Sequence, residues 1–365
     1  MIRDGFLVVD KPPGVTSHDV VAVVRAVTGL QKVGHTGTLD PFATGVLPLA
    51  LGSATRLIQY LDEREKVYDA TIRLGALTDT GDPTGQVVQE APVPAFSRAR
   101  ALEVLAGFKG PRMQVPPRYS AVKVKGRALY EYARKGEVVE VQARPIEIFG
   151  IELLEMGDVT LRVRIRCSRG TYARVIAEEV GEALDTVAHL EALRRDASGS
   201  FTLEQAISMA RIADIVAGDP AWDRVLKPSR DGAARTPWRP RAEVLAGISA
   251  WVLPSRDALR HLPAVTLTPL DARKLQQTGA VPPLPAVDTA CLLLDGDTII
   301  GVAPPGARSV TPLAIEDDNA RRGGGHDRRG GHGRGGNDRR GRGGPRREGG
   351  GPRGERSGEG SGAAE

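Results

Sequence analysis

Cysteine is scarce, with two in 365 residues. Cys167 and Cys291 cannot build a disulfide framework or a four-cysteine zinc site, and both are expected as buried thiols. The histidines stand apart (His18, His35, His189 and His261, with two more near the C-terminus), and neither H-E-x-x-H nor paired-cysteine spacing occurs, so no metal ligand set is expected. The chain also lacks the G-x-x-x-x-G-K-[ST] spelling of a nucleotide-binding loop and the G-x-S-x-G elbow of serine hydrolases. No uninterrupted apolar run approaches the ~18 residues of a membrane-spanning helix. The first residues, MIRDGFLVVDKPPG, lack the long apolar stretch of a secretory signal. A cytoplasmic location without a membrane partner is expected. An enzyme with this inventory must rely heavily on a lone carboxylate.

Charge is present but unevenly placed. The formal net charge is +5, which points toward nucleic acid. Residues 321–365 hold 12 Arg, 6 acidic groups and 18 of the 44 Gly, so this stretch alone carries +6. The preceding 320 residues carry 38 basic and 39 acidic groups, a net of −1. The C-terminal stretch has four Arg-Gly-Gly triplets and no aromatic or β-branched residue, so it lacks the apolar surface to offset chain entropy. Residues 317–365 are expected to be disordered.

Three further stretches differ in texture. Residues 1–215 contain all six Tyr and all six Phe and read as the main folded domain. Residues 216–257, which hold Trp222, Trp238 and Trp251 among Pro, Arg and Gly, read as a linker or insertion. Residues 258–316 alternate short apolar runs with turn signals such as Leu294-Asp295-Gly296-Asp297 and read as a small β-rich module. Within the main domain, Val20, Val21, Val24 and Val27 recur at helical spacing after Ser17, and Gly29 supplies a stop. Thr202 with Gln205 spells a capping box ahead of LEQAISMA, a further helix signal. In VTLRVRIRC, the apolar Val159, Leu161, Val163, Ile165 and Cys167 alternate with Arg162, Arg164 and Arg166. Tyr68, Ala70, Ile72 and Leu74 share a strand face likewise. Strands and helices mixed without a βαβ rhythm predict an α+β fold with a mixed, largely antiparallel sheet and flanking helices.

Three segments can carry chemistry. GHTGTLDPFATGVLPLALG, residues 34–52, packs Gly34, Gly37, Gly45 and Gly52 around Asp40, which Pro41 bars from helical geometry. A carboxylate is thereby held on a tight loop, either as a reacting group or as the organiser of an Asp-Pro turn. Between Lys109 and Lys135 lie eight basic residues and one acid, Glu131, with Tyr119, Tyr130 and Tyr132 interleaved. Cations and rings in that mixture suit looped or single-stranded RNA, although a solvated charged face has the same composition. Pro116-Pro117 and Gly126 suggest a loop or hairpin projecting from the sheet. In CSRGTYARVIAEEVGEAL, residues 167–184, a strand, a turn and a helix follow one another, and Thr171 can cap the helix. Arg174 then falls in the first turn, where a cation opposes the helix dipole, and this hints at a carboxylate partner.

These segments, with DKPPGVTSHDVV, KVYDATIRLGALTDTGDPTG, VPPRYSAVKVKGRALYEYARKG and HLEALRR in this order, resemble the TruB family of bacterial tRNA pseudouridine synthases over residues 5–208. The resemblance implies isomerisation of uridine 55 in the tRNA T loop, with base flipping and without cofactor or metal. It implies Asp40 as the catalytic carboxylate, Tyr68 against the target base as a candidate proton acceptor, and Arg174 paired with Asp40. It also implies Tyr172 and Leu193 as pocket walls, His35 as a support of the rearranged T loop, and Lys11 as support of the Asp40 loop. Residues 109–144 correspond to a thumb-like RNA-contacting element, with Arg118, Lys123, Lys125 and Arg127 as its RNA-binding residues. Residues 258–316 loosely resemble a PUA-like module. The expected partner is the T arm and loop of tRNA, bound by a monomer. A tRNA-binding or folding chaperone that does not depend on catalysis is the alternative, and the bacterial-type thumb disfavours a guide-RNA-directed synthase.

Overall fold

The computed structural model describes residues 4–62, 64–217 and 240–313. The N-terminal strand β1 (Gly5–Lys11) leads into α1 (Ser17–Thr28). Val20, Val21, Val24 and Val27 are all buried on the inner face of α1, as their spacing predicts, and Gly29 ends it in the left-handed conformation at φ 70°. The N-cap is Thr16 rather than Ser17, because Asp19 completes a capping box with Thr16. Ser17 is drawn elsewhere, as the site below shows.

The strands β2 (Val33–His35), β3 (Thr44–Leu51), β4 (Glu65–Leu74), β5 (Ala76–Thr78) and β6 (Val87–Glu90) follow, then helix α2 (Arg98–Ala106) and strand β7 (Gly110–Gln114). A short hairpin of β8 (Lys123–Val124) and β9 (Arg127–Ala128) precedes α3 (Leu129–Arg134). Its turn residues Lys125 and Gly126 both have positive φ, 49° and 84°, as a tight two-residue hairpin turn requires. The long strands β10 (Arg144–Met156) and β11 (Thr160–Ser168) form another hairpin, followed by α4 (Ala173–Ala183) and β12 (Ala188–Ser198). The short strands β13 (Phe201–Thr202) and β14 (Ile207–Ser208) then lead to α5 (Met209–Val216).

Among the described residues, eleven strands form the main sheet, with the spine β14-β1-β3-β12-β4-β11-β10-β7. The β1/β14 and β3/β12 contacts are parallel and the other pairings antiparallel, in accord with the expected α+β class. On β4 and β11 the predicted alternation holds, except that Val159 precedes β11 and is only half-buried. Tyr68, Ala70, Ile72 and Leu74, with Leu161, Val163, Ile165 and Cys167, enter the core that α4 covers. The opposite face carries the bidentate pairs Arg162–Asp69 and Arg166–Glu65. β1 and β3 instead read as continuous apolar runs because both of their faces are covered. Leu7, Val9, Leu47 and Leu49 pack in the same core as α1, while Phe6, Val8, Val46 and Ala50 meet a second core on the other side.

Three sequence expectations shift. Thr202 and Gln205 do form their capping box, but around a single 3-10 turn, Leu203–Gln205. Ile207 and Ser208 then pair with Val9 and Asp10 of β1, so the helix starts only at Met209, capped by Ser208. Thr171 does not cap α4; Tyr172 holds the cap position without a side-chain bond. Within 216–257, Ala242–Ser249 is a helix buried through Val244 and Ile248, and Val252–Pro254 adds a strand antiparallel to β1. Trp251 packs on the main core, while Trp222 and Trp238 lie outside the described residues, as does the expected disorder of 317–365.

The C-terminal module is the expected small β unit. Its sheet joins Ala264–Thr266, Cys291–Asp295 and Thr298–Ala303, with the helix Pro269–Thr278 on one face and Gly296 at φ 57° in the predicted turn. The other face gives Leu292, Leu294 and Val302 to the second core, against Phe6, Val8 and Phe201. No helix among the described residues is long and apolar enough to cross a membrane.

Candidate active site

The parallel β3/β12 contact is two residues long, Thr44 with Arg194 and Gly45 with Arg195. So short a ladder leaves a cleft where the two halves of the sheet part, and residues 36–43 lie at its edge. Gly45 is needed there: its φ is 101°, and a Cβ would stand 2.2 Å from the carbonyl oxygen of Arg195.

The 36–43 loop is held through five consecutive carbonyls. Arg195 Nη2 and Nη1 donate to Gly37 O and Thr38 O at 3.1 and 3.3 Å, and its Nε donates to Val46 O at 2.7 Å. Ser17 Oγ donates to Leu39 O at 3.2 Å and accepts from Leu39 N at 2.9 Å, which is why it does not cap α1. Ala43 N donates to Asp40 O at 3.1 Å, closing the Asp-Pro turn. Lys11 Nζ and Gly14 N donate to Pro41 O at 3.1 and 2.8 Å, and Lys11 also reaches Pro12 O at 2.8 Å. Lys11 is wholly buried beneath the loop, and burial pulls its ammonium down to about 8, with the Asp40 charge opposing.

Asp40 thus projects from a backbone with little freedom. Arg174, 3% exposed, donates to it from Nη2 to Oδ1 at 3.2 Å, and its Nε lies 3.0 Å from Oδ2 as an ion-pair contact without hydrogen-bond geometry. The cation that opposes the helix dipole at the start of α4 has its carboxylate partner. Arg174 also donates to Thr80 O and Tyr119 O, each at 2.9 Å, and lies 3.6 Å from buried Asp82. Asp82 is fixed by Thr80 Oγ1 at 2.8 Å, by Thr84 N at 3.0 Å and by the Thr84 hydroxyl. Burial lifts the Asp40 carboxyl above its ordinary value, Arg174 pulls against that rise, and Asp82 adds to it.

The cleft holds about 270 Å³ and is walled by Asp40, Tyr68, Ser120, Tyr172, Arg174 and Leu193. Tyr68 and Leu193 reach it from neighbouring strands, since Leu193 pairs with Ala70. Burial pushes the Tyr68 phenol up to about 12, so it is neutral at physiological pH. Burial also raises Tyr172, whose backbone is clamped by Gln114 through Oε1 at 2.8 Å and Nε2 at 3.2 Å. Lys11 and His35 both lie outside the cleft wall; Lys11 bonds the loop from beneath, while His35 pairs with Leu49 of β3 and its ring stands edge-on to His18 with centroids 5.2 Å apart. Both cysteines are buried, and burial raises the Cys167 thiol to about 12. Among the described residues, no group of three or more His, Cys, Asp or Glu is placed to hold a metal ion.

The basic segment divides. Arg118, Lys123 and Lys125 are exposed. Arg127 is half-buried, ion-paired to Glu137 at 3.1 Å and stacked over Tyr132 at 4.1 Å. Tyr132 is buried with its hydroxyl on Val124 O, so Tyr130, 38% exposed, offers the accessible ring of this pair. Arg195, Asp82 and Gln114 escaped the reading of the sequence. Asp82 alone had a local signal, since Asp82-Pro83 repeats the Asp40-Pro41 spelling.

Comparison with known proteins agrees with this geometry. Residues 25–173 match the N-terminal domain model of the TruB family pseudouridylate synthases, and residues 174–231 match the tRNA pseudouridylate synthase B C-terminal domain. The tRNA pseudouridine synthase B of Geobacter sulfurreducens is 41% identical over 310 residues, covering 82% of this chain and 93% of that protein. That of Burkholderia lata is 46% identical over 229 residues, covering 62% and 70%. Among solved structures, a Cbf5-Nop10-Gar1 complex shares the fold at a TM-score of 0.59 and 24% identity, over 86% of this chain and 84% of that one. With ordered motifs, a matching fold and a relative aligned over nearly its whole length, this chain belongs to the TruB family of pseudouridylate synthases.

Proposed function

We propose that this protein isomerises uridine to pseudouridine at position 55 in the T loop of tRNA, acting as a monomer with Asp40 as the catalytic carboxylate. The observation that carries the assignment is Asp40 itself, gripped by Arg174 on an immobilised loop at the mouth of a nucleotide-sized cleft. The reaction breaks the N1–C1′ glycosidic bond and forms a C1′–C5 bond. C5 loses its proton and N1 gains one, so atoms balance and no redox partner is needed. The detached uracil must stay in place while it turns. Apolar Leu193 and the flat ring of Tyr68 wall that space, and Asp40 attacks or stabilises the electron-poor centre.

Arg174 has two tasks. It holds the Asp40 carboxylate in one orientation, and it favours the ionised form against the desolvation that raises it. Tyr68 acts as a neutral phenol, a stacking face whose oxygen accepts a proton only transiently. The target base must leave its stack, at roughly a few kcal/mol. Contacts to the T arm offset this, and the 109–144 segment supplies them: Ser120 and Ala121 form cleft wall while Arg118, Lys123 and Lys125 face solvent beside it. His35, from the strand entering the loop, supports the rearranged T loop.

Asp40→Asn tests the assignment. Tritium release from 5-tritiated uridine in a T-arm transcript should vanish while the T arm still binds. Retained turnover would remove Asp40 from the chemistry. Turnover lost without loss of tRNA-folding activity would leave a chaperone role standing beside catalysis.

A further inference from the structure

The catalytic cleft continues past Arg169. Thr36 and Arg169 line both that cleft and a neighbouring groove of about 470 Å³, whose remaining walls are Thr55, Arg56, Ile58 and Gln59. Arg56 and Gln59 then line a third hollow, about 230 Å³, against the C-terminal module. The groove thus shares walls with the cleft on one side and with the third hollow on the other, and the three form one path leading away from Asp40. The two arginines of the groove differ. Arg56 is spent on structure, donating to Pro312 O and Thr311 O at 2.6 and 2.8 Å. Arg169 is exposed, and makes no hydrogen bond or ion pair among the described residues.

Arg169 sits where such a cation can act. The next residue, Gly170, has φ 85° and open space around it, so the turn presents the arginine without a neighbouring side chain in the way. Thr171, Tyr172 and Ala173 carry the chain from there into the uncapped start of α4, whose dipole also favours an anion. Thr55 and Gln59 line the groove; their side chains donate to Gly52 O and Arg56 O at 2.8 and 3.2 Å, and the second N–H of Gln59 and the hydroxyl oxygen of Thr55 suit phosphate and ribose hydroxyls rather than an apolar ligand. A guanidinium matches a phosphodiester with two parallel donors.

We propose that Arg169 is a positioning residue, which seats a backbone phosphate of the RNA strand flanking the target uridine as that strand passes from the cleft into the Thr55–Gln59 groove. This rests on the isomerase reading above. Full-length Arg169→Gln, assayed by tritium release from a T-arm stem-loop, should show KM raised about five- to tenfold at low salt with kcat within about twofold. The slope of log affinity against log salt should become shallower by about 0.7–0.9, one phosphate contact. Arg169→Lys should restore most of the loss. Arg211→Gln on α5, which removes the same charge outside all three hollows, should behave as wild type. An unchanged KM and salt slope would overturn this inference and leave the isomerase reading intact. An equal effect in Arg211→Gln, or a loss confined to kcat, would also overturn it. A wild-type protein that releases no tritium would overturn both.

Discussion

Replacing Arg195 by Met removes a guanidinium that is 1% exposed and replaces it with an unbranched apolar side chain. Three carbonyls, Gly37 O, Thr38 O and Val46 O, lose their donor together. Hydrogen bonds from a charged donor contribute about 1.5–3 kcal/mol each, so the gross loss is roughly 4–9 kcal/mol. Against that, a buried cation bonded mainly to neutral carbonyls carries a desolvation penalty of several kcal/mol that the variant no longer bears. The net destabilisation should be about 2–4 kcal/mol, a large fraction of the ~5–15 kcal/mol by which domains are stable. Urea unfolding should show the midpoint falling at an unchanged m-value. Because two of the freed carbonyls, Gly37 O and Thr38 O, belong to the Asp40 loop, kcat should fall more than tenfold while KM changes little. A variant within 1 kcal/mol of wild type with normal kcat would refute the view that Arg195 fixes the loop.

Other consequences follow from the same geometry. With Asp40 in its proposed role the ionised form is the active one, so kcat/KM should decline with falling pH through a value above the ordinary 3.8, and a profile flat down to that value would refute the role. Linkage runs the opposite way: a raised carboxyl favours the folded state below its unfolded value and loses that contribution as pH rises through the folded one. Asp40→Asn should therefore gain stability relative to wild type across that window, read as a pH-dependent difference in Tm. Gly45→Ala, which drives a Cβ into Arg195 O and strains φ 101°, should cost more than about 2 kcal/mol in denaturant unfolding. Deleting residues 321–365 removes a net +6 and should raise the apparent Kd for tRNA at low salt with single-turnover rates unchanged. Unchanged affinity across a salt titration would show that the Arg/Gly stretch does not bind RNA.

Local sequence determined what depends on local physics. The valine spacing of α1, the alternation of β4 and β11, the left-handed stop at Gly29 and the Lys125-Gly126 turn all follow from backbone preference and the need to bury one face. The glycine-rich Asp40 loop stood out by composition, and the awkward cation at the start of α4 called for a carboxylate before any partner was visible. Tertiary structure decided which carboxylate, and what holds it. Arg195 reads in sequence as one more basic residue after Arg194, yet Arg194 pairs with Asp10 near the surface while Arg195 is buried under the loop, 157 positions away at Thr38. Ser17 looks like a cap until Leu39 claims it, and the Thr202 box stops after one turn because β1 offers a better partner for residues 207 and 208. In each case the deciding bond joins groups distant in the chain. Propensity and periodicity register only neighbours, so the folded chain alone could place these groups around Asp40.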